Sequence, residues 1–184
     1  MLVQWFTALG FDTGYSLQQA RSNVDGISWA GLEHNLFEDD LPHVVKSPWF
    51  SEQIGGALAE KSLEVEAAII PVRDLHVAAE SRRRVFFEAR DRGLDPWQHP
   101  GSLWKVEKPE DQEQALALEF YNLLFPLIVH RIPLYFLHFP RFIVDGGYLF
   151  ESLQPVLSRH GITRSLATTA HRTVARPDRV HALA

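Results

Sequence analysis

The chain contains no cysteine, which excludes a disulfide framework, thiolate metal ligands and a cysteine nucleophile. It also lacks an excess of positive charge: 18 Lys and Arg stand against 23 Asp and Glu, a formal net charge of −5, with a pI near 6.0. Nucleic-acid binding needs a basic face or stripe, so no nucleic-acid partner is expected, and an anionic ligand has to be held by a few local cations. Long hydrophobic runs are missing too. The longest, Leu123 to Val129, contains Pro126 and stops at His130 and Arg131, far short of the roughly 20 residues of a spanning helix. The amino-terminal stretch has neither the basic flank nor the small-residue cleavage site of an export signal. A cytoplasmic protein with no membrane partner is expected. The nine histidines show no HExxH spacing, and the chain has no GxSxG elbow and no Gly-Lys pair of a Walker A loop. Spacing therefore predicts no metal.

What is present is enough apolar material for one core: 184 residues, 46% hydrophobic and 22% charged, the usual size of a single domain. No internal repeat or low-complexity tract divides it. Leu2 to Leu9 reads as a short apolar helix closed by Gly10, and Phe11 to Asp40 as loop with one short helix around Leu17 to Arg21. His43 to Lys46 reads as a short buried strand ended by Ser47-Pro48, followed by a helix from Phe50 to Glu60. Ala67 to Val72 is continuous in apolar character, as a parallel strand covered on both faces would be, although Pro71 removes a ladder donor. Leu75, Ala78, Ala79, Arg82, Val85, Phe86 and Ala89 recur at helical spacing, with Asp74 as the cap and Gly93 as the stop. Pro109, followed by Glu110, Asp111 and Glu113, opens a long apolar helix that reaches His130-Arg131 with a kink at Pro126. Leu134 to Phe139 is a third strand, Asp145 to His160 a helix ending at Gly161, and Thr163 to Ala175 a last helix. This alternation predicts an α/β fold, a three-layer sandwich with a mostly parallel sheet and helices on both faces.

Ligands of such sheets bind outside the carboxyl ends of the strands. The residues there are Lys46-Ser47, Arg73-Asp74 and His138. Arg73 leaves a strand and Ser81 lies in the second helical turn beyond it, so a guanidinium fork and a hydroxyl approach one place, a pairing suited to phosphate oxygens. The plainer reading is a surface ion pair between Arg73 and Asp74 with Ser81 solvated. Arg82-Arg83-Arg84 reads as a solvated face, Trp97 and Trp104 as packing of a Pro-rich loop, and Phe120, Tyr121, Phe125 and Leu127 as core.

The segment VRDLHVAAESRRR, with Arg73 after a strand and Ser81 in the following helix, resembles the sulfotransferase segment that holds the 3′-phosphate of 3′-phosphoadenosine 5′-phosphosulfate (PAPS). His43-Val44-Val45-Lys46-Ser47-Pro48 is similar to the strand and lysine-containing turn upstream of it, and Leu2 to Gly14 to the helix after the family's phosphate loop. IPLYFLHFPRFIVDGGYLFESLQPVLSRHGI resembles the later strand and helix. The resemblance implies a P-loop-like fold, PAPS as cofactor bound by Arg73, Ser81, Lys46 and Ser47, and transfer of a sulfuryl group to a hydroxyl or amine of a small-molecule or carbohydrate acceptor. Lys46 would stabilise charge, and Glu33, His43 and His138 are the candidates for the base that takes the acceptor proton.

Two features depart from the family. Its members begin with a strand and a loop of the type Pro-Arg-Ser-Gly-Thr, which this sequence does not contain, so an amino-terminally truncated domain is expected, with a remodelled core as the other explanation. Pro48 stands where some members carry a histidine, which leaves the base unassigned. A small-molecule kinase or related nucleotide-binding protein, and a non-catalytic relict or interaction domain whose sheet edge is covered in a homo-oligomer, are the alternative readings.

Overall fold

The computed structural model describes residues 1–60 and 63–179. Four of its helices begin where short polar side chains meet free amides. Ser16 opens α2 (Leu17–Ser22) with a capping box: its hydroxyl accepts from the Gln19 amide, and the Gln19 side chain accepts from the Ser16 amide. Asp74 caps α4 (Leu75–Asp91) through the Val77 amide at 3.0 Å, and Asp145 caps α7 (Gly146–Arg159) through the Tyr148 amide at 2.8 Å. Gly93 and Gly161 follow α4 and α7 with φ of +73° and +69°, the left-handed backbone that ends a helix without a Cβ penalty. The remaining helices are α1 (Leu2–Ala8), α3 (Phe50–Ala59), α5 (Gln112–Val129), α6 (Arg141–Val144) and α8 (Arg164–Val174). A 3₁₀ turn at Pro109–Asp111 leads into α5, which continues through Pro126.

Two strands, β1 (Ala68–Val72) and β2 (Leu134–His138), pair in parallel with Ala68 opposite Leu134 and Val72 opposite His138. The chain is thus α/β, about half helical, with a small parallel sheet. Pro71 is tolerated because β1, among the described residues, carries its ladder on one side only. Side chains alternate along a strand, and the alternation here feeds two cores. Ile69, Tyr135 and Leu137 join Trp5, Phe6, Phe142, Leu149, Leu153 and Ala167 from α1, α6, α7 and α8. Ala68, Ile70, Val72 and Leu134 join Ile54, Ala57, Leu58 and Leu127 from α3 and α5. Trp5 is fully buried and donates its indole N–H to the Ala167 carbonyl at 3.0 Å, which ties α1 to α8. No described helix is long and apolar enough to cross a membrane.

Three expectations need correction. His43 to Lys46 is not a strand: its backbone bonds go to loops, from the Val44 amide to the Asp12 carbonyl and from the His34 amide to the Lys46 carbonyl. The apolar alternation persists, with Val44 against the first core and Val45 against the second, but no neighbouring strand supplies a ladder. Phe120, Tyr121 and Phe125 are not core. They are exposed, Tyr121 by 61%, because α5 is apolar over most of its circumference while α3 and α4 cover only part of it. A shallow groove lined by Gly55, Tyr121, Phe125 and Val129 runs between α3 and α5. Arg82 is not solvated either: it donates to the Ser102 carbonyl at 2.6 Å and lies over the Trp104 ring at 5.6 Å. Arg83 is held by Glu80, Glu113 and the Pro109 carbonyl.

Neighbouring residues of β2 test the placement of the core. Leu137 is fully buried and Phe136 is 48% exposed. Leu137→Ala is expected to destabilise the fold by about 3 kcal/mol through lost burial and a residual cavity, and Phe136→Ala by less than about 1 kcal/mol. Urea denaturation of both variants measures the contrast, and equal losses would contradict the assignment of faces.

Candidate functional site

The carboxyl ends of β1 and β2 lie side by side because the strands are parallel and in register. The ladder extends one bond further, from the Phe139 amide to the Val72 carbonyl at 2.8 Å, so Arg73 and Phe139, one residue past each strand, emerge together. The Arg73 guanidinium lies 5.0 Å from the centre of the Phe139 ring, a cation–π contact. Its Nη2 donates to the Val77 carbonyl at 2.7 Å, the acceptor that the helical ladder shares with the Ser81 amide. The arginine therefore folds back over the first turn of α4, one turn short of Ser81. Val77, Ser81 and Arg84 recur at the spacing of one helix face, and Arg84 is close enough to act on Arg73. Burial lowers the Arg73 pKa from its ordinary value, Asp74 opposes the shift and Arg84 adds to it. The guanidinium remains a cation in any case.

Arg73 Nε is buried and has no hydrogen-bond partner. Buried donors are nearly always satisfied in folded proteins, so this N–H is a donor that the fold leaves unused. The Arg73–Asp74 surface ion pair is not what forms: Asp74 spends its carboxylate on the Val77 amide as a helix cap. His138, at the end of β2, has an exposed side chain, while its backbone amide donates to the Tyr148 hydroxyl at 2.9 Å. Arg73 and His138 thus share the carboxyl edge of the strand pair, and Ser81 lies one helical turn beyond Val77 in α4. Phe139, the platform under the guanidinium, was not singled out from the sequence; only the register of two distant strands makes it the neighbour of Arg73.

Lys46 belongs to a second cluster. Its Nζ donates to the Gly31 carbonyl at 2.7 Å and pairs with Glu33 Oε1 at 2.5 Å. Partial burial raises the Glu33 carboxyl, but the Lys46 hydrogen bond, the Gly31 amide and the Lys46 charge outweigh it and hold the pKa below the usual range. A carboxylate so stabilised is a weak base. Lys46 also lies beside the start of α1, since burial and then its charge push the Met1 amine down to about 6. Ser47 Oγ accepts from the Trp49 amide at 3.1 Å and shapes the turn before α3. Among the described residues no hydrogen bond or ion pair joins Lys46 or Ser47 to Arg73 or Ser81, and none joins Arg73 to Ser81. His43 goes to a third place, where it meets Glu66 and His160, far from either in sequence.

The segment carrying Gly31 and Glu33 is shaped by Asp25. Its carboxylate accepts from the Ile27 amide at 2.9 Å, the Ser28 amide at 2.6 Å and the Ser28 hydroxyl at 2.8 Å, with His99 at 3.2 Å. Gly31 packs so closely on the Asn23 carbonyl that a Cβ would lie 2.2 Å from its oxygen, with φ at +134°. Comparison with family models, with curated proteins and with solved structures gives no match.

Burial raises the Asp25 carboxyl, but the Ser28 and Ile27 amides, the Ser28 hydroxyl and His99 outweigh it and bring the pKa down to about 2, against an ordinary 3.8. A depressed carboxylate contributes stability above its unfolded value, and the contribution disappears as pH falls through the folded one. Thermal and urea melts between about pH 5 and about pH 2 are expected to show the parent losing on the order of 2 kcal/mol more than Asp25→Asn. Parallel losses would show that Asp25 does not organise this segment.

Proposed function

We propose that this chain is a sulfotransferase-like protein that binds the 3′-phosphoadenosine moiety of PAPS at the carboxyl edge of its strand pair and passes a sulfuryl group to a hydroxyl or amine of a small-molecule or carbohydrate acceptor. The observation that carries the reading is Arg73: it leaves a parallel strand, it is held by Phe139 and the Val77 carbonyl, and its buried Nε has no partner. Arg73 with Ser81 would hold the 3′-phosphate, and Arg84, whose charge reaches Arg73, adds to the local positive potential in a chain that is acidic overall. A three-layer, P-loop-like sandwich goes with this proposal, and the separate helix sets packed on the two faces of β1 and β2 support it.

In the bound state the cofactor supplies an activated sulfuryl group, whose bond to the acceptor oxygen or nitrogen forms as its bond to the phosphate oxygen breaks. The chain's own contribution is alignment and charge. Lys46 is the cation near the start of α1, and Glu33, with its pKa held down by that lysine, positions Lys46 instead of serving as the base. His138 is the base candidate that lies on the same edge as Arg73; an imidazole near neutrality is suited to accept the acceptor proton. His43 is drawn into contacts with Phe11, Glu66 and His160, which argues against it as the base.

Calorimetric titration with 3′-phosphoadenosine 5′-phosphate, with ADP as competitor, tests the proposal. Tighter binding of the 3′-phosphorylated nucleotide is expected, weakened at least about tenfold by Arg73→Ala and less by Ser81→Ala, with both variants checked for native circular dichroism. Arg73→Lys keeps the charge and loses the fork, so it should recover only part of the affinity. Equal affinity for ADP would favour a kinase-like or other nucleotide-binding protein. No binding of either nucleotide, or binding indifferent to Arg73, would overturn the assignment.

A further inference from the structure

We propose that His43, Glu66 and His160 form a binding site for one divalent transition-metal ion, with zinc as the expected occupant. The three come from separate parts of the chain: the loop before α3, the approach to β1, and the residue that closes α7. One donor atom from each lies within 4.8 Å of the others. Glu66 Oε2 is 3.0 Å from His160 Nε2 and 3.8 Å from His43 Nε2. Tetrahedral zinc with bonds of about 2.0–2.1 Å sets its donor atoms about 3.3 Å apart, a separation bracketed by those two distances, while the two imidazole donors lie within 4.8 Å of each other on exposed side chains that can rotate.

Aromatic packing orients the two imidazoles. The Phe11 ring stacks on His43 at 5.8 Å and meets His160 edge-on at 4.9 Å, and the two imidazoles lie 5.2 Å apart. Phe11 in turn packs on Phe6 of the first core, so both rings are oriented by a residue anchored in the interior. The carboxylate is divided between two tasks. Oε2 faces the two imidazoles, while Oε1 is 3.5 Å from Arg159, an outer partner that orients a ligating carboxylate from behind. Two imidazoles and one carboxylate form a donor set for zinc and its neighbours in the first transition row, and a poor one for magnesium or calcium, which take oxygen ligands. Three protein ligands leave a fourth position for water. Each of the three side chains is at least 31% exposed, which gives an ion a way in. A bound ion would join the loop before α3, the start of β1 and the end of α7, and so stabilise the fold as well.

The test uses the full chain, stripped with a chelator and dialysed, and titrated with zinc chloride in a calorimeter. One equivalent is expected to bind, with a rise in the thermal midpoint, and cobalt at the same site should give the visible absorption of a tetrahedral centre. His43→Ala and His160→Ala should each weaken zinc at least about tenfold, the loss that changes behind the ligands alone can produce, and Glu66→Gln should do the same. His130→Ala, at the end of α5, should leave binding unchanged, and magnesium should give no comparable heat. The positions are on the surface, so native circular dichroism of the variants is the control for folding. Zinc that does not bind, that binds equally to the folded His43 and His160 variants, or that is matched by magnesium would overturn the proposal.

Discussion

Parallel pairing of β1 with β2 is the constraint on which the rest of the molecule depends. An isolated two-stranded ladder has little stability of its own, so this one persists because both of its faces are buried by helices. Ile69, Tyr135 and Leu137 insert into one core and Ala68, Ile70, Val72 and Leu134 into the other. Parallel strands also require a long crossover, and α4, the Trp-containing loop and α5 provide it. The same pairing fixes which residues emerge at the carboxyl edge. A slip of one residue would exchange the two core faces and separate Arg73 from Phe139.

Positive charge is handled in three ways. Arg82 and Arg83 serve structure, satisfied by backbone carbonyls, an indole ring and acidic neighbours. Lys46 is matched by Glu33 within a segment that Asp25 folds. Arg73 alone of these four keeps a buried donor without a partner, and it sits where α/β sheets bind ligands. That difference is the physical reason for proposing an anion site at Arg73. The Lys46 cluster, already neutralised, is better suited to a supporting role. Glu33 and Lys46 act as one unit, so changing either removes the partner that holds the other in place.

Local signals were legible in the sequence. Asp74, Asp145 and Thr163 cap helices as their residue types predict, the spacing of Leu75, Val85, Phe86 and Ala89 gave α4, and the apolar runs at Ala67–Val72 and Leu134–Phe139 became the strands Ala68–Val72 and Leu134–His138. The candidate strand at His43 to Lys46 failed for a reason that local sequence does not contain: a ladder needs a partner, and its backbone found loops instead. The aromatic residues of α5 failed similarly, because apolar character shows that a side chain favours burial and not that a surface is available to bury it.

Within the candidate sites the division is the same. By itself the sequence determined that the chain is acidic, free of cysteine and without a long apolar run, that Arg73 follows a strand, and that Ser81 lies further along the next helix. Tertiary structure alone decided that Phe139 supports Arg73, that Lys46 is paired with Glu33, and that His43 joins Glu66 and His160 across 117 positions of sequence, from 43 to 160. Helix caps and apolar periodicity act over a few residues and can be read from one window of sequence. Register, ion pairing and ligand convergence depend on distances between segments that meet only when both cores have closed.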